Sequence, residues 1–280
     1  MKLHTVDTGY FKLDGGAMFG VVPKTIWQKL NPPDEKNLCT WAMRCLLIED
    51  GEQLILIDCG LGNKQDGKFF SYYEPHGDAT LEKSIHQLGY SFNDITDVIL
   101  SHLHFDHCGG AITRNANGHC EPAFKNAIYW SNANHWEWAT KPNAREKASF
   151  LKENILPIQE SGQLKFAEAG STVVHPLISL QTVSGHTESM FTPHIKAGDK
   201  TIVYCADLFP SMAHLPIPYV MAYDTRPLLT LDEKQKFLDT AASQNYFLFF
   251  EHDKTTECCS LKQTEKGVRQ NEVFKLSDLF

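Results

Sequence analysis

"SHLHFDHCGG", residues 101–110, places His102, His104, Asp106 and His107 within six consecutive positions, directly after the apolar run Val98–Ile99–Leu100. Ionisable groups crowded behind a buried strand are costly unless they are paired or bound to metal. In an extended segment residues two apart point the same way, so His102 and His104 can face one ion. Asp106 and His107 follow where the chain turns, and Gly109–Gly110 are expected to allow an irregular backbone there. Four ligands from one loop strain to reach a single tetrahedral ion. They divide readily between two.

Three other stretches repeat the pattern further along. His186 lies in "TVSGHTES", Asp207 in "TIVYCADLFP" and His252 in "YFLFFEHD", each closing an apolar, strand-like run. That repetition predicts several strands delivering ligands to one rim. Asp58 in "LIDCG" either orients a ligand or forms a turn before Cys59–Gly60.

Around these motifs the chain reads as strands with interposed helices. "WAMRCLLIED" and "QLILIDCG" form a hairpin about Gly51, and the N-terminus alternates like a strand. "ATLEKSIHQLG" has helical spacing of Leu81, Ile85 and Leu88, with Gly89 to end it. Two helical pieces flanking a bend at Pro142 are expected between Trp130 and Glu160. Strands are expected over 171–174, 178–183, 191–197, 201–205 and "YFLFFEHD", with a helix over 231–243. This order suggests two sheets with helices on their outer faces, and residues 1–280 are expected to form one unit.

The chain has 280 residues, 42% hydrophobic and 21% charged, a balance that argues against disorder. A formal charge of −8, with the basic residues scattered among acids, disfavours nucleic acid and anionic membranes as partners. No apolar run approaches the ~20 residues of a membrane span. The eight cysteines lack a CxxC pair, so reduced thiols in a cytoplasmic protein are the expectation. A homodimer built on the aromatic middle segment is compatible with the sequence.

The His102-x-His104-x-Asp106-His107 motif, with later His186, Asp207 and His252, resembles the metallo-β-lactamase superfamily. The likeness runs from Asp58 to His252. It implies a four-layer αβ/βα sandwich with a dinuclear centre, and a metal-activated water that attacks a small-molecule substrate. By analogy His102, His104 and His186 hold one ion, Asp106, His107 and His252 the other, and Asp207 bridges them. An all-nitrogen-and-oxygen ligand set suits zinc best and also admits manganese, iron or cobalt.

Within that superfamily a flavodiiron oxidoreductase has a glutamate where His104 stands, and an RNA nuclease carries basic surfaces that are missing here. An antibiotic-degrading lactamase has an export signal, and a glyoxalase-like thioesterase has a helical domain after His252. What remains resembles the acyl-homoserine lactonase and organophosphorus hydrolase branch, so the expected reaction is opening of lactones or cleavage of related esters. Phosphotriester or thioester hydrolysis is the alternative, and a non-catalytic metal-dependent binding domain the third reading. The lactonases often carry a tyrosine three residues beyond the bridging aspartate, where this chain has Pro210. Catalytic roles are therefore expected for Asp106, His214 and Tyr223, with His214 or Tyr223 replacing that tyrosine. Trp130, Trp136 and Trp138 read as core residues, and Phe69, Phe70, Tyr72 and Tyr73 as either core or an aromatic overhang.

Overall fold

A computed structural model describes residues 1–280. Two long strands, β1 (Lys2–Asp14) and β2 (Leu38–Asp50), pair antiparallel. Gly51, at φ 61°, then turns the chain into β3 (Gln53–Ile57), which is the expected hairpin. β4 (Asp97–Ile99) lies parallel beside β3. A small ribbon of β5 (Ile112–Arg114) and β6 (Cys120–Pro122) stands apart from the sheet. β7 (Ile128–Ser131) and β8 (Leu164–Phe166) then complete the order β1-β2-β3-β4-β7-β8.

The second sheet takes the remaining strands. These are β9 (Ser171–His175), β10 (Ile178–Val183), β11 (Met190–Ala197) and β12 (Lys200–Tyr204), then β13 (Phe247–Phe249), β14 (Cys258–Thr264) and β15 (Gly267–Phe274). They run in sequence order across the sheet, and only β12 and β13 are parallel.

Period-two alternation explains the layering. Leu46, Ile48, Ile55, Ile57 and Ile99 face Ile178, Leu180, Ile195, Ile202 and Tyr204 of the other sheet in a shared core. Their neighbours Cys45, Leu47, Leu54, Leu56 and Val98 face the opposite way. There they meet Ile85, Trp136, Ile155 and Ile158 from the helices Leu81–Gln87, Ala133–Thr140 and Lys152–Glu160. Helix Pro227–Ser243 packs on the second sheet through Leu238 and Ala241. The result is the expected αβ/βα sandwich. Each buried Leu or Ile contributes about 1.5–3 kcal/mol, so the two-sided burial of β2 and β3 makes them a rigid base for the loops at their ends.

Several boundaries differ from the expectation for identifiable reasons. The last helix begins four residues before Leu231, because Pro227 is preorganised for a first helical position. "YFLFFEHD" pairs only over Phe247–Phe249, since the chain leaves the sheet at Phe250 to present Glu251 and His252. Trp130 belongs to β7 rather than to a helix. The β14–β15 hairpin was signalled by alternation around Gly267 (φ 88°) and went unread. No helix is long and apolar enough to cross a membrane.

Candidate metal centre

The candidate ligands sit where strands end. Asp58 follows β3, His102 follows β4, His186 follows β10, Asp207 follows β12 and His252 follows β13. Asp106 and His107 lie on the short helix Phe105–Cys108. All of these side chains are buried, and they converge into two groups. In the first, His104 Nδ1 lies 3.0 Å from His102 Nε2 and 3.2 Å from His186 Nε2. In the second, His107 Nε2 lies 3.2 Å from His252 Nε2, and Asp106 Oδ2 is 3.8 and 3.7 Å from those two nitrogens. Asp207 stands between the groups, with Oδ2 3.1 Å from His186 Nε2 and Oδ1 3.3 Å from His252 Nε2.

The outward-facing nitrogens decide what these rings can do. A neutral imidazole carries one proton, and the partner of one nitrogen fixes the state of the other. His186 Nδ1 donates to Asp224 Oδ1 at 2.8 Å, and His252 Nδ1 donates to the Ala42 carbonyl at 2.8 Å. His107 Nδ1 faces Asp58 Oδ2 at 3.1 Å and Glu251 Oε2 at 2.9 Å. Ser101 Oγ gives its proton to Asp58, so it accepts from His102 Nδ1 at 3.1 Å. His104 Nε2 points at the Glu146 carboxylate, 3.5 Å away. Five rings thus turn bare lone pairs toward one another and toward carboxylate oxygens, and Asp207 Oδ1 is buried with no hydrogen-bond partner. Lone pairs facing lone pairs repel unless protons or metal ions lie among them. The donor set fits two divalent ions, the nitrogens and oxygens dividing as the two groups do.

The sequence profile of the metallo-beta-lactamase superfamily matches residues 44–252. The chain belongs to the metallo-beta-lactamase superfamily. It is a metal-dependent hydrolase. It is 26% identical over 265 residues to an N-acyl homoserine lactonase of Bacillus thuringiensis subsp. kurstaki, covering 90% of this chain and 93% of that one. A probable metal-dependent hydrolase from Staphylococcus aureus superposes with a TM-score of 0.88 at 28% identity, over 98% of this chain and 96% of that one. A dizinc quorum-quenching lactonase, solved with its product, shares the fold with a TM-score of 0.77 at 24% identity, over 98% and 95% of the two chains.

For this superfamily member the proton inventory without metal follows from burial and charge. Burial holds His102 well below the ordinary histidine range, with His107 and His104 adding to the effect. His186 is also penalised by burial, but Asp207 and Asp224 outweigh that and push it up to about 10. Asp207 likewise overcomes burial at His252, which rises to about 9. Burial opposes the Asp207 carboxylate, yet His186, His107 and His252 hold its pKa well below the carboxylate range. Metal uptake therefore displaces protons from His186 and His252.

Above the ligands opens a cavity of about 280 Å³. Leu13, Met18, Phe105 and Met221 supply its apolar wall, and Tyr73, Tyr223 and Arg145 its polar one. Tyr223 lines this cavity. His214 does not. It is buried behind the wall, stacked on Phe19 at 4.7 Å, with Nδ1 2.8 Å from Ser211 Oγ and Nε2 2.9 Å from the Met18 carbonyl. With both nitrogens engaged, and burial holding it down to about 3, it has no proton to offer a substrate. Trp130 and Trp136 are core residues, and half-buried Trp138 donates to Glu146. Of the Phe69–Tyr73 group only Tyr73 reaches the cavity, while Tyr72 is exposed.

The glycines after the motif also act differently from the expectation. Gly109 has an ordinary helical φ of −57°, so no unusual backbone is involved. A Cβ there would stand 2.0 Å from the Leu61 carbonyl oxygen, and one at Gly110 would stand 2.1 Å from that of Cys59. Close approach of the Asp58 loop is what requires them. Asp58 itself adopts φ 58°, anchored by hydrogen bonds from Ser101 N (2.7 Å) and Ser101 Oγ (2.6 Å).

Sequence reasoning missed Glu146, Asp224 and Glu251. Glu251 had a usable signal, being a carboxylate at the end of the same buried strand that delivers His252. Asp224 and Glu146 lie in polar loops, where only the need of a ligating histidine for an outer partner points to them.

Proposed function

We propose that this chain opens lactone rings, or cleaves closely related carboxylic esters, at a dinuclear centre held by His102, His104, Asp106, His107, His186, Asp207 and His252. The observation that carries the reading is the gathering of these ligands into two clusters, with Asp207 3.1 Å from His186 in one and 3.3 Å from His252 in the other, at the floor of an apolar-walled cavity. The name of the Bacillus thuringiensis relative, matched over nine-tenths of the chain, supports this reaction class. Zinc is proposed as the metal, on the softness of an imidazole-rich set. When bound, two such ions lower the pKa of water and polarise an ester carbonyl.

The chain's own residues do the rest. Leu13, Met18, Phe105 and Met221 exclude water from a bound acyl chain, which strengthens polar contacts at the reacting end. Although Tyr223 is 38% exposed as a residue, the packing around its phenol raises it above its ordinary range, with Tyr73, Asp106 and Asp207 adding to it. Tyr223 therefore keeps its proton at neutral pH and can donate it to the departing ring oxygen, in place of the tyrosine absent at Pro210. Burial likewise pushes Tyr73 up to about 12, so it too stays a donor facing the same cavity.

The test is a panel of lactones, esters, thioesters and phosphotriesters turned over by the zinc-loaded protein. Lactones or esters should be the fastest substrates, and Tyr223→Phe should cut kcat about 100-fold or more with both ions retained. Rapid turnover of thioesters or phosphotriesters alone would replace the proposed reaction.

A further inference from the structure

Glu146 lies outside the candidate ligand sets, yet it is buried and lines the cavity. Its carboxylate is fully engaged. Oε1 accepts from Thr187 Oγ1 at 2.6 Å and faces His104 Nε2 at 3.5 Å. Oε2 accepts from Trp138 Nε1 at 2.6 Å and Asn143 Nδ2 at 2.5 Å. A carboxylate held by three donors from three directions cannot swing away, so its field falls on one nitrogen of His104. That ring differs from the other four: it turns Nδ1 inward, whereas they turn Nε2. Its outer nitrogen is buried and makes no hydrogen bond, and the fixed Glu146 carboxylate is the acidic group that faces it.

Arg145 reaches the other way. Its guanidinium donates to the Ala222 carbonyl and lies 3.5 Å from that of Asp224. The segment it grips carries Tyr223 into the cavity and Asp224 onto His186 Nδ1. Asn143 Oδ1 sets both residues by accepting from the backbone N–H of Arg145 (2.9 Å) and Glu146 (3.1 Å). One turn thus reaches His104 directly and His186 through Asp224. It makes no hydrogen bond or ion pair to Asp106, His107 or His252.

We infer that the Asn143–Glu146 turn positions one half of the dinuclear centre, Glu146 holding His104 as the Nε2–H tautomer so that Nδ1 is free for the ion it shares with His102 and His186. The inference rests on the dinuclear reading of the site, and its readout is metal binding, so it stands or falls independently of which ester is hydrolysed. Glu146 is a positioning residue: it carries no proton in the reaction and touches the ion only through His104.

Its test is zinc titration of metal-free wild type, Glu146→Gln and Glu146→Ala, followed by calorimetry and by the metal content of the dialysed proteins. Loss of an outer partner weakens ligation about 10- to 100-fold. Both variants should therefore keep one tight ion per chain and bind the second at least 10-fold more weakly. Equal binding of two ions by wild type and variants overturns the inference, as does equal loss of both. Should the variants fold poorly, wild type still decides. Long-range ¹H–¹⁵N imidazole spectra of the zinc-loaded protein should show one histidine ligated through Nδ1 with a protonated Nε2, and Thr187→Val, which removes a single donor to Glu146, should shift that resonance selectively. A His104 ligated through Nε2 contradicts the assignment.

Discussion

Gly109→Ala perturbs the contact on which the second half of the centre rests. Gly109 has helical backbone angles, so alanine is conformationally welcome there and restricts the unfolded chain, a gain of about 0.4–1 kcal/mol. Against this, the new Cβ would meet the Leu61 oxygen at 2.0 Å and the Leu61 carbonyl carbon at 2.5 Å. An ordinary C···O contact is about 3.3 Å, so the two backbone segments must part by more than an ångström. Overpacking of this kind costs about 1–3 kcal/mol, and backbone on both sides leaves no flexible side chain to absorb it. The steric term wins, for a net loss of about 1–2 kcal/mol. The same two segments are tied by Cys59 N to His107 O (2.8 Å) and Gly110 N to Gly60 O (2.9 Å), and they set the 3.1 Å approach of Asp58 to His107. Parting them should also weaken zinc binding by His107 about 10-fold. Urea unfolding of the metal-free proteins measures the first effect and zinc titration the second. An alanine variant as stable as wild type, or stabilised, with unchanged zinc affinity would refute the close-packing account of this glycine.

Further outcomes come from the same geometry. His214→Phe should preserve the stack on Phe19 and leave two ions bound, while losing about 1 kcal/mol for each hydrogen bond to Ser211 and Met18 at neutral pH. His214 is held at about 3 when folded against 6.5 when unfolded, so below pH 6.5 the unfolded chain takes up a proton that the folded one refuses. Its contribution is complete above pH 6.5 and falls by about 2 kcal/mol by pH 5. Unfolding of metal-free wild type and His214→Phe at pH 7 and pH 5 should differ in pH dependence by that amount, and parallel curves would contradict the buried neutral ring. His135 is held at about 3 in the same way, chiefly by burial, and should add its own acid sensitivity to both proteins.

How much of this was legible in advance depends on the kind of signal. The ligands stood out because each follows an apolar run, and a charge after a buried strand is too costly to be incidental; His102, His186, Asp207 and His252 were all readable this way. The layers were readable because runs of strands with a few interposed helices suggest two sheets with helices on their outer faces. Apart from Asp58, the residues that orient the ligands were not. Glu146 sits in "NAREKA", which reads as a solvated helix, and only folding brings it to a histidine 42 positions away. Asp224 reaches His186 across 38 positions from a loop without periodicity. His214 misled for the converse reason: a histidine close in sequence to Asp207 looked reactive, yet its loop folds back so that Met18 and Ser211 claim both nitrogens. Lys234 gave no warning either, although its ammonium is buried and gathers the carbonyls of His214, Pro216 and Tyr219 that shape the same loop.

The claim on which everything else depends is that five imidazoles and two aspartates gather two cations about Asp207. Zinc titration of the metal-free protein, read beside Asp207→Ala, tests it most directly. Wild type should take up two ions per chain, releasing protons from His186 and His252 as it does so, and the variant should retain neither tightly. A wild-type stoichiometry of one or none, or two tight ions in the variant, would contradict it.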